Sequence, residues 1–411
     1  MEILSPAGNL EKLNIAFAYG ADAVYMGLPG LSLRAGAESW DTQQVAQLPA
    51  ALDYWRKIKP RKLYVALNRY VHQKDIPVLA GIAEKIGTLP ADAFIISDLG
   101  MIPSLKRMFP DIELHLSTQA NCTNSEAARM YLDMGFSRIV AARELTLAEI
   151  ADMKQQVPEL EIEVFVHGAV CIAYSGRCLL SSWLTGRSAN HGECTHSCRW
   201  QYREFEEKKR PCSPLRVEEH DGFSTIFSPE DMCMIQHLDK LRQAGVHSLK
   251  IEGRMKSAYY VAVATQAYLA ELDKVRGVPH STAAAHHAAA SRQLLMELPH
   301  RGYSTGMYFG TPKLETPPSE HGPRFMGIIQ PTEDTNRYAV EVKNRFSVND
   351  EVEIISPGMS LPVPLQGDLE NEDGTPADSL YHGKPGYIRT SRHIPPYSIV
   401  RKPHKPTPPG A

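Results

Sequence analysis

Gly20-Ala-Asp-Ala-Val24 is a short phrase that the chain repeats, in varied form, before four of its apolar runs. The other copies read Pro90-Ala-Asp-Ala-Phe94, Gly135-Phe-Ser-Arg-Ile139 and Gly245-Val-His-Ser-Leu249. Each copy begins with a residue that ends helices, continues through a short turn and enters a strand-like run. The phrase therefore predicts that helices and strands alternate, as they do in proteins with a parallel sheet.

Eight apolar runs of strand length occur in the first 251 residues of the chain. They fall at residues 3–4, 23–26, 63–67, 93–96, 114–117, 138–141, 162–166 and 248–251, and helical patterns separate most of them. Eight such units in about 250 residues are typical of a (β/α)8 TIM-type barrel, which we predict for residues 1–310. A doubly wound open sheet is the alternative.

The chain changes character after residue 310. Pro, Gly and Glu crowd residues 311–324, which predicts a linker. Short alternating runs follow at residues 326–329, 338–342, 351–355, 386–388 and 398–400, and they predict a small C-terminal β-barrel domain at residues 325–403. We expect the proline-rich tail at residues 404–411 to be disordered.

Composition limits the classes of function. The chain has 411 residues, of which 43% are hydrophobic and 22% charged, as is ordinary for a soluble enzyme. No apolar run approaches the ~18 to 20 residues that span a bilayer, so we expect no membrane span. The formal net charge of -3 disfavours binding of nucleic acid through bulk charge, so any RNA contact must be local. The opening MEILSPAGNLEKLN has no features of a secretion signal, and we expect a cytoplasmic protein.

Residues that directly follow the strands of a TIM-type barrel face one common mouth. Polar side chains dominate these positions here, although loops are polar wherever solvent reaches them. The side chains that we select as catalytic candidates are Asn68, Gln119, His167, Glu252 and Arg254.

Four of the seven cysteines lie close together in a loop-like insertion at residues 168–223, directly after the seventh predicted strand. They are Cys171, Cys178, Cys194 and Cys198. A reducing cytoplasm disfavours disulfides, and the polar, glycine-containing surroundings are unlike a hydrophobic core. Three interpretations remain open: ligands of an iron–sulfur cluster, ligands of zinc, or unliganded thiols.

Basic and aromatic residues are interleaved through the same insertion. Basic groups hold phosphates and aromatic faces stack on exposed bases, so this pattern predicts a local RNA contact. An ordinary solvated loop is the alternative, because several glutamates dilute the positive charge. The residues are Arg177, Trp183, Arg187, Arg199, Trp200, Tyr202, Arg203, Phe205, Lys208, Lys209 and Arg210.

Two groups of motifs make the sequence similar to a known family. Glu163-Val-Phe-Val-His-Gly-Ala-Val-Cys171 and Ser175-Gly-Arg-Cys178 resemble the signature of the U32 family, historically labelled collagenase-like peptidases. HGECTHSCRWQY, which contains Cys194 and Cys198, and SLKIEGRMKSAYYVA, which begins at Ser248, resemble its prephenate-dependent tRNA uridine 34 hydroxylase branch. The resemblance covers nearly the whole chain.

The resemblance implies a tRNA-modifying enzyme that holds a 4Fe–4S cluster. Its product would be 5-hydroxyuridine at the wobble position of the tRNA anticodon loop, made without molecular oxygen and with prephenate as co-substrate. An electron donor or acceptor protein would be a further partner. Cys171, Cys178 and Cys194 would be cluster ligands, whereas Cys198 and Cys233 compete for the fourth position.

Prephenate is a dicarboxylate and needs cationic partners, because arginine forks match carboxylates. The candidates are Arg143, Lys250 and Arg254. Two other functions stay open: a U32-type, collagenase-like peptidase, and an RNA-binding protein with a structural four-cysteine metal site. A thiol peptidase would need a cysteine with a partnered histidine, and His167 and His196 lie near cysteines in the sequence.

Overall fold

The computed structural model of the protein describes residues 1–28, 32, 40–76, 86–171, 173–189, 194–199, 201–202, 219–220, 223–225, 230–277, 282–310, 322–332, 334, 336–359 and 361–403. These residues belong to two compact units. The first takes its described residues from Met1–Leu13, Ala21–Lys256 and His300–Pro318, and the second from Asn14–Gly20, Ser257–Pro299 and Ser319–Ala411. Most of the expected linker at residues 311–324 and the whole expected tail at 404–411 lie outside the described residues.

Eight parallel strands close into a barrel in the first unit, which confirms the predicted fold class. The strands of this unit are β1 Glu2–Pro6, β2 Ala23–Gly27, β3 Lys62–Leu67, β4 Ala93–Ile96, β5 Glu113–Leu116, β6 Arg138–Val140, β7 Glu161–Gly168, β8 Gln201–Tyr202, β9 Glu219–His220, β10 Phe223–Thr225, β11 Asp231–Cys233, β12 Ser248–Ile251 and β13 Tyr303–Ser304. Strands β1 to β7 pair in order, and β12 pairs with both β7 and β1, which closes the ring. The open-sheet alternative is therefore wrong.

Two short strands extend the barrel sheet beyond β7. Strand β11 runs antiparallel to the end of β7, and β13 pairs with β11. Strands β8, β10 and β9 form a separate three-stranded antiparallel sheet.

The described helices of the whole chain are α1 Leu10–Ala18, α2 Thr42–Ile58, α3 Ile102–Met108, α4 Ser125–Asp133, α5 Leu147–Gln156, α6 Leu180–Thr185, α7 Leu238–Gln243, α8 Ala258–Arg276 and α9 Thr282–Met296. None of them is both long and apolar enough to cross a membrane.

The repeated phrase ties neighbouring strands together. The glycines that open three of its four copies have positive φ and end the preceding helix or turn. In three of the four copies, the third residue of the phrase accepts a hydrogen bond from the backbone N–H of a neighbouring strand's second residue. Asp22 accepts this bond from β1 at 3.1 Å, Asp92 from β3 at 2.7 Å, and His247 Nδ1 from β7 at 3.3 Å. The phrase thus fixes where several barrel strands begin.

The second unit contains an antiparallel sheet domain, which confirms the predicted all-β C-terminal fold. Its strands are β14 Arg324–Ile329, β15 Arg337–Val342, β16 Phe346–Ser347, β17 Glu353–Ile355, β18 Val363–Pro364, β19 Asp368–Glu370, β20 Ser379–Leu380, β21 Pro385–Arg389 and β22 Ile399–Lys402. Seven of them form one sheet in the order β18-β17-β22-β14-β15-β21-β19, and β16 pairs with β20 as a two-stranded ribbon. Buried side chains of the sheet and the ribbon share one hydrophobic cluster.

Helices α8 and α9 group with this sheet, whereas the predicted boundary placed them with the barrel. A buried arginine of β22 explains the grouping. Arg401 is 3% exposed, and its Nη1 lies 3.1 Å from the hydroxyl of Tyr259 on α8 and 2.6 Å from a carboxylate oxygen of Glu297, just after α9. Glu353 of β17 pairs with the same guanidinium at 3.0 Å. One cation therefore joins both helices to two strands.

Candidate active site

A cavity of about 140 Å³ opens where the carboxyl ends of the barrel strands meet. Side chains in or just after β2, β3, β4, β5, β6, β7 and β12 line it. An engineered protein cavity of about 150 Å³ binds benzene, so this cavity has room for a six-membered ring. Four of the five catalytic candidates line the cavity: Asn68, Gln119, Glu252 and Arg254.

His167 is the exception, and the structure corrects its expected position. It is 1% exposed, its ring lies 5.4 Å from that of Tyr303, and it is not among the described residues that line the cavity. The cause is a register shift between β7 and β12. Lys250 pairs with Phe165, but the next residue of β12 pairs with His167, so β7 contains one extra residue there. Such a bulge moves the following side chain to the other face of the sheet.

The burial of His167 has a consequence for acid stability. Burial lowers the pKa of this imidazole from 6.5 to about 3. The unfolded chain therefore binds more protons between these values, and the stabilisation that is present above pH 6.5 is lost as pH falls towards 3. We expect His167→Gln to flatten this decline, which amounts to at most about 1.4 kcal/mol per pH unit. Urea denaturation at a series of pH values measures it.

The control for this prediction is His393→Gln, which changes an exposed histidine of the C-terminal sheet domain. We expect this variant to keep the wild-type dependence of unfolding free energy on pH. An equally steep decline in His167→Gln and wild type would contradict the prediction.

Four cysteines share the cavity with the catalytic candidates. Cys171, Cys178, Cys194 and Cys198 all line it and none of them is in a disulfide bond, with Cys171 exposed and the others half-buried. Cys233 lies on β11 opposite His167 and is absent from the described lining residues. The structure thus groups Cys198, rather than Cys233, with the other three. In the part of the chain that the structure describes, no three His, Cys, Asp or Glu side chains form a group that could hold a metal ion.

Hydrogen bonds hold the cysteine loop, residues 169–179, over the cavity. Glu144 accepts a bond from the backbone N–H of Ser175 at 2.7 Å. Arg177 donates to the hydroxyl of Tyr70 at 3.2 Å, and that hydroxyl donates to the backbone carbonyl of Gln119 at 2.8 Å. The segments that follow β3, β5 and β6 therefore all contribute to the position of the loop.

The close approach of the loop to the barrel depends on a glycine. Gly176 has a φ of 74°, and a Cβ added there would lie 2.0 Å from the backbone oxygen of Gln119. No side chain fits at that distance, and L-residues other than glycine rarely adopt this φ. The Ser175-Gly-Arg-Cys178 motif thus has a steric reason for its glycine.

Three cations line the same cavity. The guanidinium of Arg143 lies 3.9 Å from the ring centroid of Phe165. Lys250 Nζ lies 4.6 Å, and the guanidinium of Arg254 5.7 Å, from the ring centroid of Tyr25. Lys250 and Arg254 are 4% and 6% exposed. The cavity therefore has three cations above an aromatic floor, together with the carboxylates of Glu144 and Glu252, and its two arginines suit the carboxylates of an anionic ligand.

A buried charged network inside the barrel fixes one of these cations. Glu163 is fully buried, and its carboxylate lies 2.7 Å from Lys250 Nζ and 3.2 Å from Arg138 Nη1. Arg138 Nη1 also lies 2.7 Å from a carboxylate oxygen of Glu2. Burial opposes ionisation of Glu163, but Lys250 and Arg138 outweigh it and hold the pKa of this carboxyl below its ordinary value. The ionised carboxylate anchors the Lys250 ammonium group.

Comparison with known proteins establishes the family. Residues 8–317 match the family model of peptidase family U32, and residues 322–401 match that of the U32 C-terminal domain. The chain belongs to peptidase family U32. The U32 chain is 35% identical to tRNA hydroxylation protein P1 of Bacillus subtilis strain 168 over 390 residues, which is 93% of this chain and 89% of that protein. It is 34% identical to tRNA hydroxylation protein P of Escherichia coli strain K12, over 91% of this chain and 90% of that protein.

A further relative acts on another RNA. The U32 chain is 38% identical over 276 residues to a 23S rRNA 5-hydroxycytidine synthase of Escherichia coli strain K12, covering 67% of this chain and 40% of that protein. The family prediction made from the cysteine-containing motifs is confirmed.

Several functional candidates of this U32 protein were not found by sequence reasoning. Tyr25 and Phe165 form the aromatic floor, and Tyr174, which is 64% exposed, lines the cavity from the cysteine loop. Alternation along β2 and β7 could have found the first two, and charged residues in mid-strand, such as Glu163, could have revealed the buried network. The basic and aromatic stretch at residues 177–210 falls partly outside the described residues, which omit 190–193, 200 and 203–218.

Proposed function

We propose that this U32 protein is an RNA-hydroxylating enzyme that converts wobble uridine 34 of tRNA to 5-hydroxyuridine. Prephenate is the proposed co-substrate and a 4Fe–4S cluster the proposed cofactor. One observation carries the proposal: four cysteines and three cations line one cavity at the mouth of the barrel. The RNA substrate rests on the relatives, of which two are named tRNA hydroxylation proteins and a third an rRNA 5-hydroxycytidine synthase.

The donor set suits a cluster in residue type. Four cysteines line one cavity, and cysteine thiolates are the usual ligands of 4Fe–4S clusters. The ligands of a zinc ion all lie about 2.0–2.3 Å from a single metal, whereas those of a cluster bind different irons and spread more widely. Cys171, Cys178, Cys194 and Cys198 would hold the cluster, which supplies electron transfer when bound. The hydrogen bond from the backbone N–H of Ser175 to Glu144 helps to hold the loop that contains the first two of these cysteines.

The other lining residues suit the two substrates. Arg143 and Arg254 can each grip a carboxylate of prephenate through paired N–H donors. Tyr174 offers an exposed ring face on which an unstacked uracil can pack, since RNA-modifying enzymes take the target base out of its stack. Glu252 and Asn68 can read the polar edge of that base by hydrogen bonding.

The test combines nucleoside analysis with spectroscopy. A strain without this protein should lack 5-hydroxyuridine in its tRNA, and so should a strain that cannot make prephenate. Protein purified without air should show a broad visible absorption band and about four irons per chain. Unchanged 5-hydroxyuridine in the first strain would overturn the substrate, and a colourless protein with stoichiometric zinc would overturn the cofactor.

A thiol peptidase is the second candidate, because His196 lines the cavity together with the cysteines. His167, the other histidine near the cysteines in sequence, is buried on the opposite face of β7. Gelatin hydrolysis by the purified protein, with loss of the activity in His196→Ala, would favour the peptidase. We expect neither.

A further inference from the structure

An exposed tyrosine has two cations close to its ring on the C-terminal sheet domain. Tyr381 is 48% exposed. The guanidinium of Arg345 lies 5.5 Å, and Lys384 Nζ 5.8 Å, from the centroid of its ring. Both basic side chains are exposed as well. We call these three residues the Tyr381 patch.

The two-stranded ribbon builds this patch from segments far apart in the sequence. Strands β16 and β20 pair antiparallel, with Phe346 opposite Leu380. Arg345 directly precedes β16 and Tyr381 directly follows β20, so the register places them side by side. Phe346 and Leu380 are 1% and 2% exposed, and they attach the ribbon to the core of the domain. The patch therefore stands on buried side chains.

A tight turn brings the second cation to the ring. The backbone N–H of Lys384 donates to the carbonyl of Tyr381 at 3.2 Å, which closes a turn over residues 381–384. Gly383 has a φ of 75°, which favours glycine at that position. The ring Nδ1 of His382 lies 2.9 Å from the carbonyl of Val342, which ties the turn to the end of β15. The turn thus brings Lys384 back towards the ring of Tyr381.

The nearby partners leave the charge of the patch available. Arg345 donates to the hydroxyl of Ser379 at 3.1 Å, which is a neutral partner. The next cation along the chain, Lys343, is ion-paired with Glu341 at 2.6 Å, so that carboxylate is already engaged. Asp378 is the exposed acid closest in sequence to the ribbon. Two cations therefore lie close to one exposed aromatic ring.

We propose that the Tyr381 patch is an RNA-contact surface that binds an unpaired segment of tRNA. A base stacks on the face of Tyr381, and the adjacent phosphates meet Arg345 and Lys384. An exposed aromatic ring flanked by basic groups is how proteins bind unpaired nucleotides. Two cations beside one ring suit RNA, in which each base is attached to a backbone of negatively charged phosphates. The inference rests on the proposed function, because it takes the tRNA substrate from it.

The experiment measures binding of an unmodified tRNA transcript to the full chain by fluorescence anisotropy over a range of salt concentrations. Tyr381→Ala should weaken binding by about fivefold or more, the effect of losing one base stack. Arg345→Gln should reduce the slope of log affinity against log salt by about 0.7, the share of one phosphate contact on a single strand. The matched control Arg392→Gln removes another exposed arginine of the same domain and should change neither quantity.

The outcomes separate this inference from the proposed function. Wild-type affinity and salt slope in both Tyr381→Ala and Arg345→Gln would overturn the patch, even if cells make 5-hydroxyuridine normally. A protein that loses affinity in these variants, but whose deletion leaves 5-hydroxyuridine unchanged, would support the patch and overturn the proposed function. Arg345→Gln decides the case if Tyr381→Ala fails to fold, since circular dichroism checks each variant.

Discussion

Replacing Glu163 with alanine should destabilise the protein by about 3–5 kcal/mol, because it removes the shared partner of two buried cations. Glu163 is fully buried, and its carboxylate contacts both Lys250 and Arg138 inside the barrel. Without it, Lys250 would lose its carboxylate partner in a poorly solvated interior, and Arg138 would keep only Glu2 and Glu161 among its described ion pairs. The free energy of unfolding, measured by urea denaturation with circular dichroism, reports the loss.

Glu161→Ala is the matched control, because Glu161 pairs with the same Arg138 at 2.6 Å. Its side chain is 44% exposed, so water can replace the lost partner, and we expect a loss below about 1 kcal/mol. Adding Lys250→Met to Glu163→Ala should recover part of the stability, since it removes one uncompensated charge. Equal losses for Glu161→Ala and Glu163→Ala would contradict this account of the interior.

The barrel could be predicted from sequence because its signals are local. The repeated phrase combines a helix-ending residue, a turn and an apolar run, and its third residue, as in Asp22 and Asp92, bonds directly to a neighbouring strand. The residues that follow strands could likewise be assigned to one mouth, since parallel strands end on the same side. This rule alone predicted that Asn68 and Glu252 lie at the mouth, and both line the cavity.

The remaining features depend on contacts that are distant in sequence. The bulge in β7 is visible only in its pairing with β12, and that one residue turns His167 away from the cavity. Glu163 and Lys250 neutralise each other across two strands, and they lie 87 positions apart in the sequence. The sequence around either residue alone therefore could not predict that it is buried. The grouping of α8 and α9 with the C-terminal sheet likewise depends on Arg401.

Replacing Cys194 with alanine should abolish 5-hydroxyuridine in tRNA while the protein stays folded. Cys194 lines the cavity with three other thiols, and under the proposed function its loss removes one ligand of the cluster. The described hydrogen bonds that hold the cysteine loop come from Glu144, Arg177 and Tyr70, so the loop does not depend on this thiol for its position. Mass spectrometry of tRNA nucleosides measures the product, iron assay the cofactor, and circular dichroism the fold.

Cys122→Ala is the control for the same substitution outside the cavity. Cys122 is 1% exposed and is not among the described residues that line the cavity, and burial raises the pKa of its thiol to about 11. We expect wild-type 5-hydroxyuridine in this variant. Cys198→Ala should match Cys194→Ala, and Cys233→Ala should match the control, because only the first of these two cysteines lines the cavity among the described residues.

The fold of the Cys194→Ala variant separates the two interpretations of the four-cysteine site. A folded, iron-depleted protein without product is the result expected of a redox cofactor. An unfolded protein would instead indicate that the metal supplies folding energy, as in an RNA-binding protein with a structural site. Wild-type levels of 5-hydroxyuridine in the tRNA of cells that make folded Cys194→Ala protein would contradict the proposed role of the thiols. The proposed cluster needs a ligand from each of the four cysteines, and this variant provides only three.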